Sequence, residues 1–155
     1  MLMQEPQSKC YIQAIRYLSR YPKTEKELSI YLLQKWYLQD EIDNAMDFLK
    51  FKRYIDDAQF VELYFNSEVI KKWRPLYVAT NKLYQKGVDK SLVDQFIQEH
   101  KEEIEEGIHN KIRKFITQYK NKWVDGFDVI QKIMNKWYKL DDIKAVINNT
   151  TPTTI

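Results

Sequence analysis

One phrase recurs three times along this chain and limits the folds open to it. Leu33-Gln34-Lys35-Trp36-Tyr37, Tyr84-Gln85-Lys86-Gly87-Val88 and Met134-Asn135-Lys136-Trp137-Tyr138 place their lysines 51 and 50 residues apart. The register holds around each copy. Three residues before the lysine stand Leu32, Leu83 and Ile133; seven after it stand Ile42, Val93 and Ile143; thirteen before it stand Pro22, Trp73 and Trp123. A period near 50 residues with apolar positions in step marks a repeat array, in which each unit buries its hydrophobic face against its neighbours. Such arrays present extended binding surfaces rather than catalytic cavities.

The repeated unit is helical. Only 3 glycines and 4 prolines occur in 155 residues, so tight β-turns are scarce, and 44% hydrophobic residues suffice for a core. In the first unit, Tyr11, Ala14, Ile15 and Leu18 recur at helical spacing from Ser8, and Pro22 ends that helix. Thr24-Glu25-Lys26-Glu27 has the form of a capping box opening a second helix, with Leu28, Tyr31 and Leu32 inward and its end near Lys35. A third helix follows from Asp40, with Ile42, Ala45, Met46 and Leu49 inward. The second unit opens at Asp56, with Phe60, Leu63 and Tyr64 inward. Its next helix begins by Pro75 and ends at Gly87, suited to a left-handed stop, and Asp89 caps a third helix. The third unit carries Ile104, Ile108, Ile112, Phe115 and Ile116 as one stripe. A turn at Trp123-Val124-Asp125-Gly126 follows, then a helix lined by Phe127, Ile130, Ile133 and Met134, and a last helix with Ile143, Val146 and Ile147. The expected fold class is all-α: three tandem three-helix repeats at 8–53, 54–98 and 99–148, stacked into an elongated curved array, with 149–155 an unstructured tail.

Little in the sequence can support metal or covalent chemistry. His100 and His109 are nine residues apart, about two and a half helical turns, and so point to opposite faces. The single cysteine, Cys10, lies in the apolar pattern of the first helix and excludes an internal disulfide. There is no phosphate-binding glycine loop and no nucleophile elbow. Asp56-Asp57 and Asp141-Asp142 fit helix N-termini, where negative charge is favourable. No cofactor, no metal and no enzymatic activity are expected. The first residues lack the apolar core of a signal peptide and no run is long enough to span a membrane, so a cytoplasmic protein is expected.

Charge is more informative by region than in total. The net charge is only +3. Residues 1–55 hold 9 basic and 7 acidic groups, 56–105 hold 7 and 10, and 106–155 hold 9 and 5, which leaves the ends basic and the middle acidic. Lys71, Lys72 and Arg74 bracket Trp73, the aromatic expected to be exposed. Lys111, Arg113, Lys114, Lys120 and Lys122 occur with no acid between Gly107 and Val124. These groups read either as a partner-binding surface or as solvated helix faces. The repeated lysines Lys35, Lys86 and Lys136 suit the last turn of a helix, where a cation offsets exposed carbonyls, with Lys86 also a candidate contact.

Taken together, these elements resemble the RecX family. Tyr54-Ile55-Asp56-Asp57-Ala58-Gln59-Phe60 is similar to the family's leucine-aspartate-aspartate-alanine-arginine-phenylalanine stretch. Leu83-Tyr84-Gln85-Lys86-Gly87-Val88 resembles its leucine-x-x-lysine-glycine-isoleucine phrase, and Thr24-Glu25-Lys26-Glu27-Leu28 its serine-x-x-glutamate-leucine element. The likeness runs from about residue 10 to residue 148. The sequence departs from the pattern at Gln59, which stands in place of the arginine. Trp36 and Trp137 stand where the middle unit keeps glycine, so those two helices either lack the glycine-type end or belong to drifted repeats. The resemblance implies a monomeric negative regulator of the RecA recombinase, acting in DNA repair, recombination and the SOS response. It would bind the groove of the RecA–single-stranded DNA filament and inhibit its ATPase and strand exchange, with no membrane role and with weak single- or double-stranded DNA contact of its own. Lys71, Lys72, Trp73, Arg74, Lys86, Lys111, Arg113, Lys114, Lys120 and Lys122 are the candidate contacts. The alternative is a helical DNA-binding module acting without RecA.

Overall fold

The structure, a computed structural model, describes residues 3–122 and 126–150. Among these residues the regular structure is helical: α1 Lys9–Leu18, α2 Glu25–Gln34, α3 Gln39–Phe51, α4 Asp57–Phe65, α5 Leu76–Gln85, α6 Lys90–Glu99, α7 Lys101–Lys120, α8 Gly126–Met134 and α9 Leu140–Thr150. A π-helical turn, Asn66–Ile70, continues α4. The expected turn at Trp123-Val124-Asp125 and the tail at 151–155 lie outside the described residues. Asn149 and Thr150, read from the sequence as tail, belong to α9, which carries the stripe of Ile143 and Val146 onward.

Local chemistry starts the helices where the sequence places them. The Ser8 hydroxyl accepts from Tyr11 N–H (3.1 Å) at the head of α1. At α2 the capping box is complete: Thr24 Oγ1 accepts from Glu27 N–H (3.2 Å), and Thr24 N–H donates to Glu27 Oε2 (3.1 Å). Asp56 Oδ1 accepts from the backbone N–H groups of Ala58 and Gln59 before α4 (3.0 and 3.2 Å). Asp89 does the same for Ser91 before α6 (2.9 Å).

The ends of the second helices carry the repeat. Trp36 (φ 67°), Gly87 (φ 80°) and Trp137 (φ 70°) all take the left-handed conformation. Each N–H donates to the carbonyl three residues back: Leu33 (3.0 Å), Tyr84 (2.9 Å) and Met134 (2.8 Å). The residue after each is tucked in: Tyr37 partly, Val88 and Tyr138 fully. A left-handed stop followed by an apolar contact is the usual helix C-terminal motif. The two outer helices therefore end as the middle one does, tryptophan notwithstanding.

The chain divides into two compact units: residues 1–63 with 82–94, and residues 64–81 with 95–155. In the first unit α1, α2 and α3 contact one another pairwise. Their core is Cys10, Tyr11, Ala14, Leu28, Leu32, Ile42, Ala45, Phe48, Leu49 and Ile55. Burial, reinforced by Glu41, pushes the Cys10 thiol up, as suits a packed rather than a reactive cysteine. In the second unit α7, α8 and α9 likewise contact one another pairwise, with Ile104, Ile108, Ile112, Val129, Ile133, Ile143 and Val146 buried.

Three inward assignments fail. Leu63 is half exposed, because Phe60, Val61 and Phe65 are the buried positions of α4 and Leu63 falls between them on the outer face. Phe127 is 73% exposed, since Val129 and Ile133 take the buried side of α8. Met134 is exposed at the end of α8, beside the buried Ile133. All three are apolar residues standing beside the stripe rather than in it.

Candidate partner-binding surface

The first basic group is less free than its sequence suggests. Glu68, on the π-helical turn, accepts from Lys72 Nζ at Oε1 (2.6 Å) and from Arg74 Nε at Oε2 (2.8 Å). One carboxylate thus holds two of the three cations, and Lys71 makes no ion pair among the described residues. Trp73 is not the exposed aromatic. It is half buried, with its indole against Gly107 in the middle of α7: a Cβ at Gly107 would lie 1.6 Å from Trp73 Cζ3. The Trp73 backbone is left-handed (φ 51°), and its carbonyl accepts from Tyr138 Oη (2.7 Å). Burial pushes the Tyr138 phenol up to about 12, so it remains a donor across the ordinary pH range.

Lys86 is likewise engaged within its own unit. Its Nζ donates to Glu27 Oε1 (2.5 Å) and lies 5.7 Å from the Phe60 ring centre, and its carbonyl accepts from Thr24 Oγ1 (2.6 Å). Thr24 is fully buried, and its hydroxyl both donates to Lys86 and accepts from Glu27. The start of α2 and the end of α5 are therefore joined through one residue pair and one hydroxyl. Burial alone would raise the Glu27 carboxyl, but the hydrogen bonds from Lys86 and from the Thr24 N–H outweigh it and hold it below the usual range. Asp57, one of the acids assigned to its own helix, accepts instead from Glu25 N–H at the head of α2 (2.9 Å).

The cluster on α7 is the freest of the candidates. Arg113, Lys114, Lys120 and Lys122 are exposed and Lys111 is half exposed; Arg113 donates to Asn110 Oδ1. Of the aromatic residues beneath them, Tyr119 went unread in the sequence and Phe115 was read only as part of the inward stripe. Phe115 and Tyr119 stack along α7 (6.3 Å between centres), Lys111 and Lys136 lie 5.4 and 5.2 Å from the Phe115 ring, and Lys132 lies 5.9 Å from Tyr119. Cations interleaved with half-buried rings make a face suited to anions and to stacking partners. The cue available in sequence was the i, i+4 spacing of Phe115 and Tyr119 inside the acid-free stretch.

Trp36 and Trp137 are the exposed tryptophans of the described residues, at 92% and 64%. His109 Nε2 lies 3.3 Å from Asp142 Oδ1, and the His100 ring stacks on Phe96, so the two histidines serve separate contacts. Among the described residues no group of three or more His, Cys, Asp or Glu could hold a metal ion, and no helix is long and apolar enough to cross a membrane.

Comparison with known proteins decides the family. Residues 10–49 match the family model described as RecX, first three-helix domain. The chain is 30% identical over 146 residues to a Regulatory protein RecX of Clostridium tetani, covering 90% of this chain and 66% of that protein. The chain belongs to the RecX family. A Regulatory protein RecX of Oceanobacillus iheyensis is 28% identical over 150 residues, and one of Staphylococcus aureus 26% over 140 residues. This chain covers 54% and 51% of those two proteins, so it spans between about half and two thirds of the length of the RecX relatives it matches. The fold agrees as well. The crystal structure of RecX from Lactobacillus salivarius superposes with a TM-score of 0.77 at 20% identity, over 91% of this chain and 94% of that one. A second crystal structure, of regulatory protein RecX, gives 0.72 at 19% identity over 90% and 70%.

Proposed function

We propose that this chain is a negative regulator of the RecA recombinase. It binds in the groove of the RecA–single-stranded DNA filament and lowers ATP hydrolysis and strand exchange. The observation that carries this reading is the likeness to RecX regulatory proteins along 90% of the chain, over the same span that holds the left-handed ends of α2, α5 and α8. Three successive helix trios, 8–53, 54–98 and 99–148, offer repeated contact points to a partner that is itself a repeating polymer. Weak contacts linked in one chain raise each other's effective concentration. The exposed cations of α7 supply charge complementary to phosphate in such a filament. The test is a DNA-stimulated ATPase assay with the cognate recombinase and substoichiometric amounts of this protein. Inhibition is expected, and full ATPase activity at low salt would overturn the proposal.

A second reading has one observation in its favour. Lys111, Lys132 and Lys136 set around Phe115 and Tyr119 resemble a track for nucleic acid, which would let the chain bind DNA without the recombinase. Tight binding to an oligonucleotide alone, steeply weakened by salt, would favour this reading.

A further inference from the structure

Trp137 is in the wrong place for a tryptophan. Its φ of 70° strains a residue with a Cβ, a strain that glycine would avoid, and an indole 64% exposed gains little from burial. Neither capping nor core formation accounts for the side chain. What the conformation does is hold the indole beside Tyr77, itself more than half exposed, with ring centres 5.9 Å apart and planes 27° from parallel.

The pair walls a cleft of about 130 Å³ within the second unit. Its floor includes Ile104 and Ile108, both buried, and Glu105 and Asp142 border it. Lys139 is the one cation among the bordering residues. Glu105 has only a distant partner, Lys101 at 4.0 Å, and Asp142 meets His109 at 3.3 Å.

We propose that this cleft receives an arginine side chain from a partner protein. Two aromatic faces, an apolar floor and two carboxylates match the three parts of that side chain: a flat cation that stacks, an aliphatic stem, and N–H donors that pair with carboxylate. A nucleic-acid base would find the rings but would bring its phosphates against Glu105 and Asp142, which disfavours it. The site uses none of Lys111, Arg113, Lys114, Lys120 and Lys122, and it does not depend on the identity of the recombinase.

The test uses N-acetyl-arginine methylamide as probe, followed by NMR at the Trp137 indole N–H and the Tyr77 ring. Saturable shifts at both are expected. Affinity should fall about tenfold in Glu105→Gln, an exposed position that tolerates the change. Trp137→Gly, which relieves the backbone, should keep the fold and abolish the Tyr77 shift. Equal shifts with N-acetyl-norleucine methylamide, no saturation with the arginine probe, or saturable shifts of the same two rings by oligo(dT) would each overturn the assignment. Because no recombinase is present, failure here is separate from failure of the filament reading.

Discussion

A methyl group on Gly107 would meet the Trp73 ring at 1.6 Å, closer than any side chain could tolerate. The contact explains why a glycine stands inside the 20-residue helix α7, where it costs about 1 kcal/mol against alanine. The Trp73 main chain cannot easily yield, because Val69 O accepts its N–H (2.6 Å) and Tyr138 donates to its carbonyl (2.7 Å). Gly107→Ala should therefore destabilise the protein by about 1–3 kcal/mol, the cost of overpacking exceeding the propensity gain. Urea denaturation measures it. A stabilised variant would show that the ring moves aside freely.

Much of the fold was legible because local chemistry and periodicity agree. The Thr24–Glu27 box, the Asp56 and Asp89 caps and the Ile104–Ile108–Ile112 stripe all stand where the sequence places them. What could not be read was the partner of each charge. Glu68 and Lys72 stand at the i, i+4 spacing that a regular helix pairs, but the second contact of Glu68, to Arg74 beyond the π-helical turn, is one that a helical reading gives no hint of. Lys86 was legible as a helix-end cation, but its carboxylate, Glu27, is 59 residues away. Trp73 appeared exposed because three cations flank it, whereas the deciding residue is a glycine 34 positions on.

The left-handed positions Trp36 and Gly87 should respond oppositely to substitution. At Trp36 the side chain is 92% exposed, so Trp36→Gly removes strain and little contact. Its gain of about 1–2 kcal/mol is partly offset by the looser unfolded chain, leaving stability unchanged or up to about 1 kcal/mol higher. At Gly87 an added Cβ would lie 2.1 Å from Cδ of Lys26, so Gly87→Ala adds a clash to the same backbone strain. It should lower stability by about 2 kcal/mol or more. Thermal melts of the two variants side by side decide the matter; a Trp36→Gly variant as damaged as Gly87→Ala would refute it.

The Glu27–Lys86 pair gives stability a defined pH dependence. The Glu27 carboxyl is held below its ordinary value in the folded chain, so the unfolded chain binds its proton first as pH falls. The stabilisation is full above the ordinary glutamate value of about 4.3 and is lost as pH drops through the lowered folded value. Glu27→Gln should cost about 2 kcal/mol at pH 7, where it leaves Lys86 without its carboxylate. The deficit should shrink below pH 4, since the wild-type carboxylate is then being neutralised as well, about 1.4 kcal/mol being lost per unit of pKa difference. Denaturation curves across pH 3–7 should therefore converge at the acid end; a constant gap would assign the effect to packing.

The two basic groups should differ in what they contribute to a phosphate-bearing partner. Lys72 and Arg74 already share Glu68, so their donors are occupied and less available to a phosphate, although each double variant removes the same two positive charges. Lys114 and Lys120 are exposed on α7, in a stretch with no acid from Gly107 to Lys122. The α7 double variant Lys114→Gln/Lys120→Gln should weaken binding to DNA-coated filaments, and flatten its dependence on salt, more than Lys72→Gln/Arg74→Gln does. Each lysine that contacts single-stranded phosphate should reduce the slope of log affinity against log salt by about 0.7. Equal slopes for the two double variants would mean that α7 does not face phosphate, and that its lysines serve mainly to cover Phe115 and Tyr119.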